Sequence, residues 1–342
     1  MINIAKITPH YYPVVRGNAV TVRRIEKHVE KNGCKVRLYS LDAMSAADIL
    51  AGIANSPPDI LHAYHGYLGG RLAQYAAAAL KVPYIITLTG TDVYEALDDN
   101  RREETLLALT GAARLAVFDS SVKDRLSQHL PALAQKTTVI PQGVEIPTDG
   151  CHGSGGFPFS PGKFTFLLPA GLRPVKNVLF PLEPLRELAS SHPMLRFLLA
   201  GPVLDPLFAA EVMQRLEAYP FAHYLGGVSH DAISFLYKKS AVVLNTSLFE
   251  GGMANSVLEA LACGKPVLAA DIAGNRSLIS DGVTGLLYRD KEEFLRKAED
   301  LLIHAELREH LGKNGRRLVR EHFPPEKEAA AYLELYRAVL GS

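Results

Sequence analysis

Short apolar runs alternate with segments of helical period along most of the chain, and this alternation constrains the fold more than any other feature. In the first half, strands are expected at Ile2–Ile7, Val36–Tyr39, Ile60–His62, Tyr84–Leu88, Leu115–Phe118 and Thr138–Ile140. Helices fit between them, as at Thr21–Asn32, Arg71–Ala79 and Val122–His129. A Gly-, Pro- and Ser-rich stretch, PTDGCHGSGGFPFSPG (147–162), then reads as a linker. A second series of strands follows at Phe164–Leu168, Leu195–Ala200, His223–Leu225, Val242–Leu244, Pro266–Ala270 and Gly285–Tyr288. Strand and helix in turn argue for an α/β fold with two Rossmann-like, doubly wound parallel-sheet domains.

With 342 residues the chain is long enough for two cores. It is 48% hydrophobic and 21% charged, as expected of a soluble protein, and its net charge of +1 offers no general attraction to nucleic acid. Cys34, Cys151 and Cys263 form neither a CxxC pair nor an even set, so a reduced, cytoplasmic protein without structural disulfides is expected. MINIAKITPHYY reads as a first strand rather than a signal peptide, and no apolar run approaches the ~20 residues of a membrane span.

The chemistry concentrates in VVLNTSLFEGGMANSVLEALACGKPVLAADIAGNRSLISDGVTGLLY (242–288). An apolar run meets Glu250 and the pair Gly251–Gly252, and a helix-patterned segment carrying Glu259 closes at Gly264. A strand, a glycine turn and a helix N-terminus together make an anion site, because unpaired N–H groups and the helix dipole point at the ligand. The carboxylates suit a polyol, since they accept hydrogen bonds that sugar and ribose hydroxyls donate. An anionic, hydroxyl-rich ligand suggests a sugar nucleotide.

The stretch resembles the signature of retaining glycosyltransferases of family 4, which have the GT-B fold with two Rossmann-like domains facing a cleft. The family pattern is Glu, seven residues, Glu, then Ala-x-Ala-x-Gly-x-Pro-Val. Leu258 to Val267 fits, but eight residues separate Glu250 from Glu259. On one continuous helix, nine steps of ~100° would put the two on opposite faces, so Glu250 is expected in the loop ahead of the helix. Gly252 or Met253 then absorbs the extra residue. The resemblance implies that Glu259 binds ribose, that Glu250 contacts the donor sugar, and that Gly251, Gly252, Met253, Ala254 and Asn255 meet the donor phosphates. It also implies the division 1–148 acceptor-side domain, 149–162 linker, 163–323 donor domain, and 324–342 a terminal helix packing back on the first domain. Apolar residues at helical spacing in Pro325–Leu340 agree with that helix.

Other motifs follow strands. In GLRPVKN (171–177), Arg173 can grip a diphosphate as a fork and Lys176 as a point charge; the family's Gly-x-Arg/Leu-x-x-x-Lys segment does so, with Gly171 at its head. LGGVSHDAI (225–233) matches the family loop whose backbone near Val228 contacts the base, while Ser229 or Asp231 is also a ready helix N-cap. VVRGNAVTVRRIEKH (14–28) places Gly17 and Asn18 before a helix, where backbone can approach a phosphate. In TLTGTDVYEAL (87–97), Thr89 stands where the family often has a histidine, followed by Thr91 and Asp92. Asp92 either serves catalysis by orienting an acceptor or caps a turn; His65, in HAYHGYLGG, contacts acceptor sugar or is structural. The combination RGNAVT, TGTD and EGG with LEA resembles a branch of glycosyltransferase 1 domain-containing proteins and selenosugar synthases.

Two features are set aside. Asp98–Asp99–Asn100 mimics a metal-binding Asp-x-Asp but lies in the mixed charge run DDNRREE, and no His/Cys cluster has metal spacing, so no metal and no cofactor are expected. Arg23, Arg24, Lys27 and Lys31 interleave with Glu26 and Glu30, which favours a solvated helix face over peripheral contact with a membrane. The expected activity is metal-independent transfer of a sugar, with retention, from a nucleoside diphosphate-sugar (a UDP-sugar favoured) to an unknown acceptor. Rivals are a selenosugar or thiosugar synthase, a sugar-nucleotide epimerase, and a non-catalytic sugar-nucleotide-binding protein.

Overall fold

The computed structural model describes every residue except 12–16, 146–156, 158, 160, 161 and 342. Most of the expected linker, Cys151 and the residues just ahead of Gly17 therefore lie outside the described residues. Two compact units divide the chain: Met1–Gly143 with Phe323–Ser342, and Val144–His322.

The first unit holds β1 (Asn3–Thr8), α1 (Gly17–Lys31), β2 (Lys35–Ser40), α2 (Ala46–Asn55) and β3 (Ile60–Tyr64). A single π-helical turn, His65–Gly69, leads into α3 (Gly70–Leu80) and β4 (Tyr84–Thr87). Then come α4 (Thr91–Tyr94), α5 (Arg102–Gly111), β5 (Arg114–Val117), α6 (Ser120–His129), α7 (Pro131–Gln135) and β6 (Thr137–Val139). All pairings are parallel, in the order β2-β1-β3-β4-β5-β6. The inner strands are covered on both faces, which is why every residue of β3 is buried, Ile60, Leu61 and Ala63 wholly so.

The second unit repeats the scheme with β7 (Phe164–Pro169), a 3-10 turn at Pro174–Lys176, α8 (Leu182–Ser191), β8 (Leu195–Ala200), α9 (Pro206–Leu216) and β9 (Ala222–Tyr224). It continues through α10 (His230–Lys239), β10 (Val242–Asn245), α11 (Asn255–Ala262), β11 (Val267–Ala270) and α12 (Ala273–Arg276). β12 (Leu286–Tyr288), α13 (Lys291–Ile303) and α14 (Ala305–His322) complete it. The parallel order is β12-β11-β10-β7-β8-β9. All twelve expected strands form, each within two residues of its expected bounds.

The last helix, α15 (Pro325–Leu340), belongs to the first unit. Pro324 and Pro325 start it without needing a backbone donor, and Gly341 at φ 72° ends it. Tyr332 and Tyr336 are fully buried with Val22, Ile25 and Ile60, a burial that stabilises by roughly 2 kcal/mol per ring. Arg24 corrects the expectation of a wholly solvated basic face on α1. Arg23, Lys27 and Lys31 are exposed, but Arg24 is buried and forks onto Glu328 of α15, with Nε donating at 2.7 Å and a terminal nitrogen at 3.0 Å. Among the described residues, no helix is long and apolar enough to cross a membrane.

Strand order reverses once in each sheet, between β1 and β3 and between β7 and β10. In such sheets the loops at the carboxyl ends of the two strands part at that point and leave a crevice for ligands.

Candidate active site

The crevice between β7 and β10 gathers the expected donor residues of the second unit. The turn after β7 carries Arg173 and Lys176, joined by the Lys176 amide donating to the Arg173 carbonyl at 3.0 Å. Asn177 closes the turn at φ 47°, a left-handed conformation that asparagine tolerates. The loop after β10 brings Glu250, and Lys176 Nζ donates to its Oε1 at 2.6 Å. The loops are pinned to each other: Leu248 N donates to Val175 O, and Thr246 Oγ1 to Lys176 O, at 2.9 and 2.8 Å.

Glu250 Oε1 also accepts from Ser247 Oγ at 2.6 Å and Asn245 Nδ2 at 3.2 Å. Its side chain is 12% exposed. Burial pushes the carboxyl up, but the Lys176 charge and the three donors outweigh it, so Glu250 sits below its usual range and is ionised at neutral pH. Every described contact falls on Oε1. Oε2 keeps its lone pairs, the property a hydroxyl-recognising group needs.

Arg173 presents a different imbalance. Its Nε is buried and has no acceptor among the described residues. A buried unmet donor on a charged group is costly, so an acceptor supplied by a ligand would be strongly favoured there.

Gly252 adopts φ 133°, open only to glycine, between Glu250 and α11, and so takes up the extra residue of the Glu-x8-Glu spacing. Gly251 is half-buried, Met253 and Ala254 are buried, and Asn255 opens α11. The cap residue Ala254 makes no side-chain hydrogen bond to the first turn of α11. Glu259, one turn further on, accepts from Tyr237 Oη at 2.9 Å. Burial, then the Glu259 charge, holds the Tyr237 phenol well above its usual range, so it stays protonated and donates.

The sheet edge beyond β7 depends on glycines. A Cβ on Gly201 would stand 2.1 Å from Ala170 O, which lets the ends of β7 and β8 converge beside Gly171. Gly226, at φ 75°, turns the chain after β9 toward Val228, and Ser229 Oγ caps α10 by accepting from Ala232 N at 3.2 Å. Side-chain partners the sequence did not single out are Tyr237, Asn245, Ser247 and Asn275. Asn275 Nδ2 donates to Asn245 Oδ1 at 3.1 Å and so orients the amide that reaches Glu250. Gly274 completes this support: a Cβ there would lie 2.3 Å from Gly252 O.

The first-unit candidates form their own group. Gly17 and Asn18 lie in the first turn of α1 rather than ahead of it, and Asn18 Nδ2 donates to Thr8 Oγ1 at 3.2 Å. Of the two roles open to Asp92, its contacts are those of a cap. Asp92 is fully buried, and its carboxylate accepts from the amides of Gly66, Thr89 and Gly90 at 2.8, 3.1 and 2.7 Å. Such a carboxylate is committed to backbone. His65 is likewise committed: Nδ1 accepts from Leu68 N at 3.2 Å, which places the proton on Nε2, and Nε2 donates to Thr91 Oγ1 at 3.1 Å. Burial holds its pKa down, so the ring is neutral at pH 7. His65 sits at φ 71°, a strained backbone for a non-glycine residue that these contacts over-determine.

Residues 156–318 match the family model described as glycosyl transferases group 1. The match falls within the second unit. The chain is similar to glycosyltransferase 1 domain-containing protein 1 of Xenopus tropicalis, 26% identical over 327 residues and 93% of each protein. Among solved structures it resembles HepE of Anabaena in complex with UDP and glucose, with TM-score 0.80, 17% identity and 99% and 100% coverage of the two chains. Sucrose-phosphate synthase of Thermosynechococcus elongatus gives TM-score 0.80 at 19% identity, covering all of both chains. These likenesses show the fold, GT-B. Arg173, Lys176, Glu250 and Glu259 all lie within the matched residues. Among the described residues, no cluster of His, Cys, Asp and Glu could hold a metal ion.

Proposed function

We propose that the protein is a glycosyltransferase that takes a sugar from a nucleoside diphosphate-sugar, a UDP-sugar in preference, and passes it to an acceptor. The observation that carries this reading is the meeting of Lys176 with Glu250 where the strand order reverses, beside the unmet Nε of Arg173. The similarity to a protein crystallised with UDP and glucose supports the choice of donor.

In this reading the second unit holds the donor. Arg173 gives its fork to the diphosphate. Lys176 has three N–H donors and directs one at Glu250, so it can bridge the sugar-binding carboxylate and the departing phosphate. As the bond from the anomeric carbon to the phosphate oxygen lengthens, negative charge grows on the diphosphate. Arg173, Lys176 and the amides of Gly251–Met253 are preorganised to receive it. These protein cations do the neutralising work that a metal does elsewhere, which supports a metal-independent reaction. Glu250 Oε2 accepts from a sugar hydroxyl, and Glu259, oriented by Tyr237, accepts from ribose. The first unit, with the expected bounds 1–148 and the terminal helix 324–342, serves the acceptor, and retention follows the family 4 resemblance.

A thermal-shift screen with UDP-, GDP-, ADP- and dTDP-sugars, with and without EDTA, tests this. One nucleotide should raise the melting temperature, EDTA should leave the shift unchanged, and no shift with any of them overturns the donor assignment. A second reading, binding without turnover, draws on the internal commitment of Asp92 and His65. It forbids even slow release of the diphosphate from a bound donor, which chromatography of a long incubation measures.

A further inference from the structure

The mechanism makes no use of α14. Along it, Lys313, Arg316, Arg317 and Arg320 stand at intervals of three, four and seven residues from the first, which puts them on one stripe. All four are exposed, and none pairs with a described residue. They line a cavity of about 690 Å³ together with Cys263 and Gly264, at the turn that ends α11.

This groove is built rather than incidental. Its floor is backbone: a Cβ on Gly312 would lie 2.2 Å from Gly264 O, so α14 rests directly on the turn. The stem of Arg316 lies along Gly264, with Cδ 3.5 Å from where a Cβ would stand. That packing fixes the base of the side chain and leaves the guanidinium to project. Glu309 and Glu321 also line the groove, but the cations outnumber them two to one. Four like charges at helical spacing repel one another, a cost that a bound anion removes. Burial holds the Cys263 thiol up at about 11, so it adds no competing negative charge.

We propose that the α14 groove binds a phosphate ester bearing at least two phosphates, with Arg316 and Arg320 as forked contacts and Lys313 and Arg317 as flanking charges. The stripe spans roughly 10 Å along the helix axis, more than one phosphate needs, and the cavity has the size of an organic ligand's site. Guanidinium forks match phosphate oxygens in pairs, which favours this class over a carboxylate of lower charge. The groove lies at the end of α11 opposite the Gly251–Met253 loop, about 12 Å along the helix, so it is a separate site from the donor crevice.

Calorimetric titration of the full chain, saturated with UDP, with inositol hexakisphosphate tests the soluble form of this ligand. Sedimentation with phosphatidylcholine vesicles containing phosphatidylinositol 4,5-bisphosphate tests the headgroup form. Binding in either arm should weaken at least about tenfold in the double variant Arg316→Gln/Arg320→Gln and stay unchanged in Arg173→Ala. The affected arm tells a free ester from a lipid headgroup. An unchanged melting temperature for the double variant shows that its fold is intact, since both side chains are exposed. Equal affinity in wild type and double variant, or no binding in either arm, overturns the proposal.

Discussion

Lys176 Nζ and Glu250 Oε1 lie 2.6 Å apart, joining two loops 74 residues distant in sequence at the point where the strand order reverses. The pair is mostly buried, at 18% and 12% side-chain exposure, and the carboxylate takes two further donors. Desolvation penalises such a pair, so its geometry has to be maintained by neighbours. Asn245, Ser247 and Asn275 do that here.

Lys176→Met leaves the Glu250 carboxylate without its cation. Stability at pH 7 should fall by about 1–3 kcal/mol, at the low end because neither group is wholly dry. In the wild type the carboxyl is depressed, so its contribution is complete above the ordinary value of 4.5 and is lost as pH falls through the depressed one. The deficit of the variant should therefore be full from pH 7 down to about 4.5 and shrink as the pH falls from there toward 3. Urea unfolding across that range measures it.

Gly274→Ala tests the support behind the loop. The added methyl would lie 2.3 Å from Gly252 O and 2.7 Å from Glu250 Cβ, so the loop must move. Unfolding should cost about 1–3 kcal/mol less, and affinity for the nucleotide should drop by about tenfold or more. A variant that binds as the wild type does would show that the Gly252 loop is not part of the site.

Acid should weaken the first unit through His62. This ring is wholly buried between Tyr336 and Thr87, bonded to each at 2.7 Å, with Tyr64, Tyr332 and Lys6 also around it. Burial, then the Lys6 charge, holds its pKa well below 6.5, so the unfolded state binds a proton that the folded state refuses. The sign follows: stability is unaffected above pH 6.5 and falls below it, by up to about 1.4 kcal/mol per pH unit. His62→Gln should remove that much of the slope between pH 6.5 and 5, whatever its effect at pH 7.

Lys6 is the opposite case, a buried cation the fold pays to keep. It is fully buried in the middle of β1, its Nζ has no hydrogen-bond partner among the described residues, and burial lowers its pKa from 10.5 to about 8 despite Glu26 and Glu328. A depression of that size corresponds to roughly 3 kcal/mol at neutral pH. Lys6→Met should raise the melting temperature, and the gain should fade between pH 8 and 10.5, where the wild-type folded state has already shed its proton.

The strands were readable because parallel sheets covered on both faces write many strands as short apolar runs, as in Val242–Leu244 and Val267–Ala270. The loop position of Glu250 followed from the angle that nine helical steps subtend, and φ 133° at Gly252 gives that reasoning its structural form. The residues that orient the carboxylates were not legible. Tyr237 meets Glu259 from another helix, and Asn275 meets Asn245 from the short helix α12, so no local spacing marks either. The roles of Asp92 and His65 stayed open in sequence for a related reason. A polar residue after a strand looks the same in sequence whether it faces a ligand or, as here, satisfies backbone amides and a neighbouring threonine.

The central claim is that a nucleoside diphosphate sits against Arg173 and Lys176. Titrating UDP into the wild type and into Arg173→Ala by calorimetry tests it most directly. Binding to the wild type, weakened at least about tenfold in Arg173→Ala with uridine affinity unchanged, is the expected result. UDP that binds both proteins equally, or neither, would contradict it.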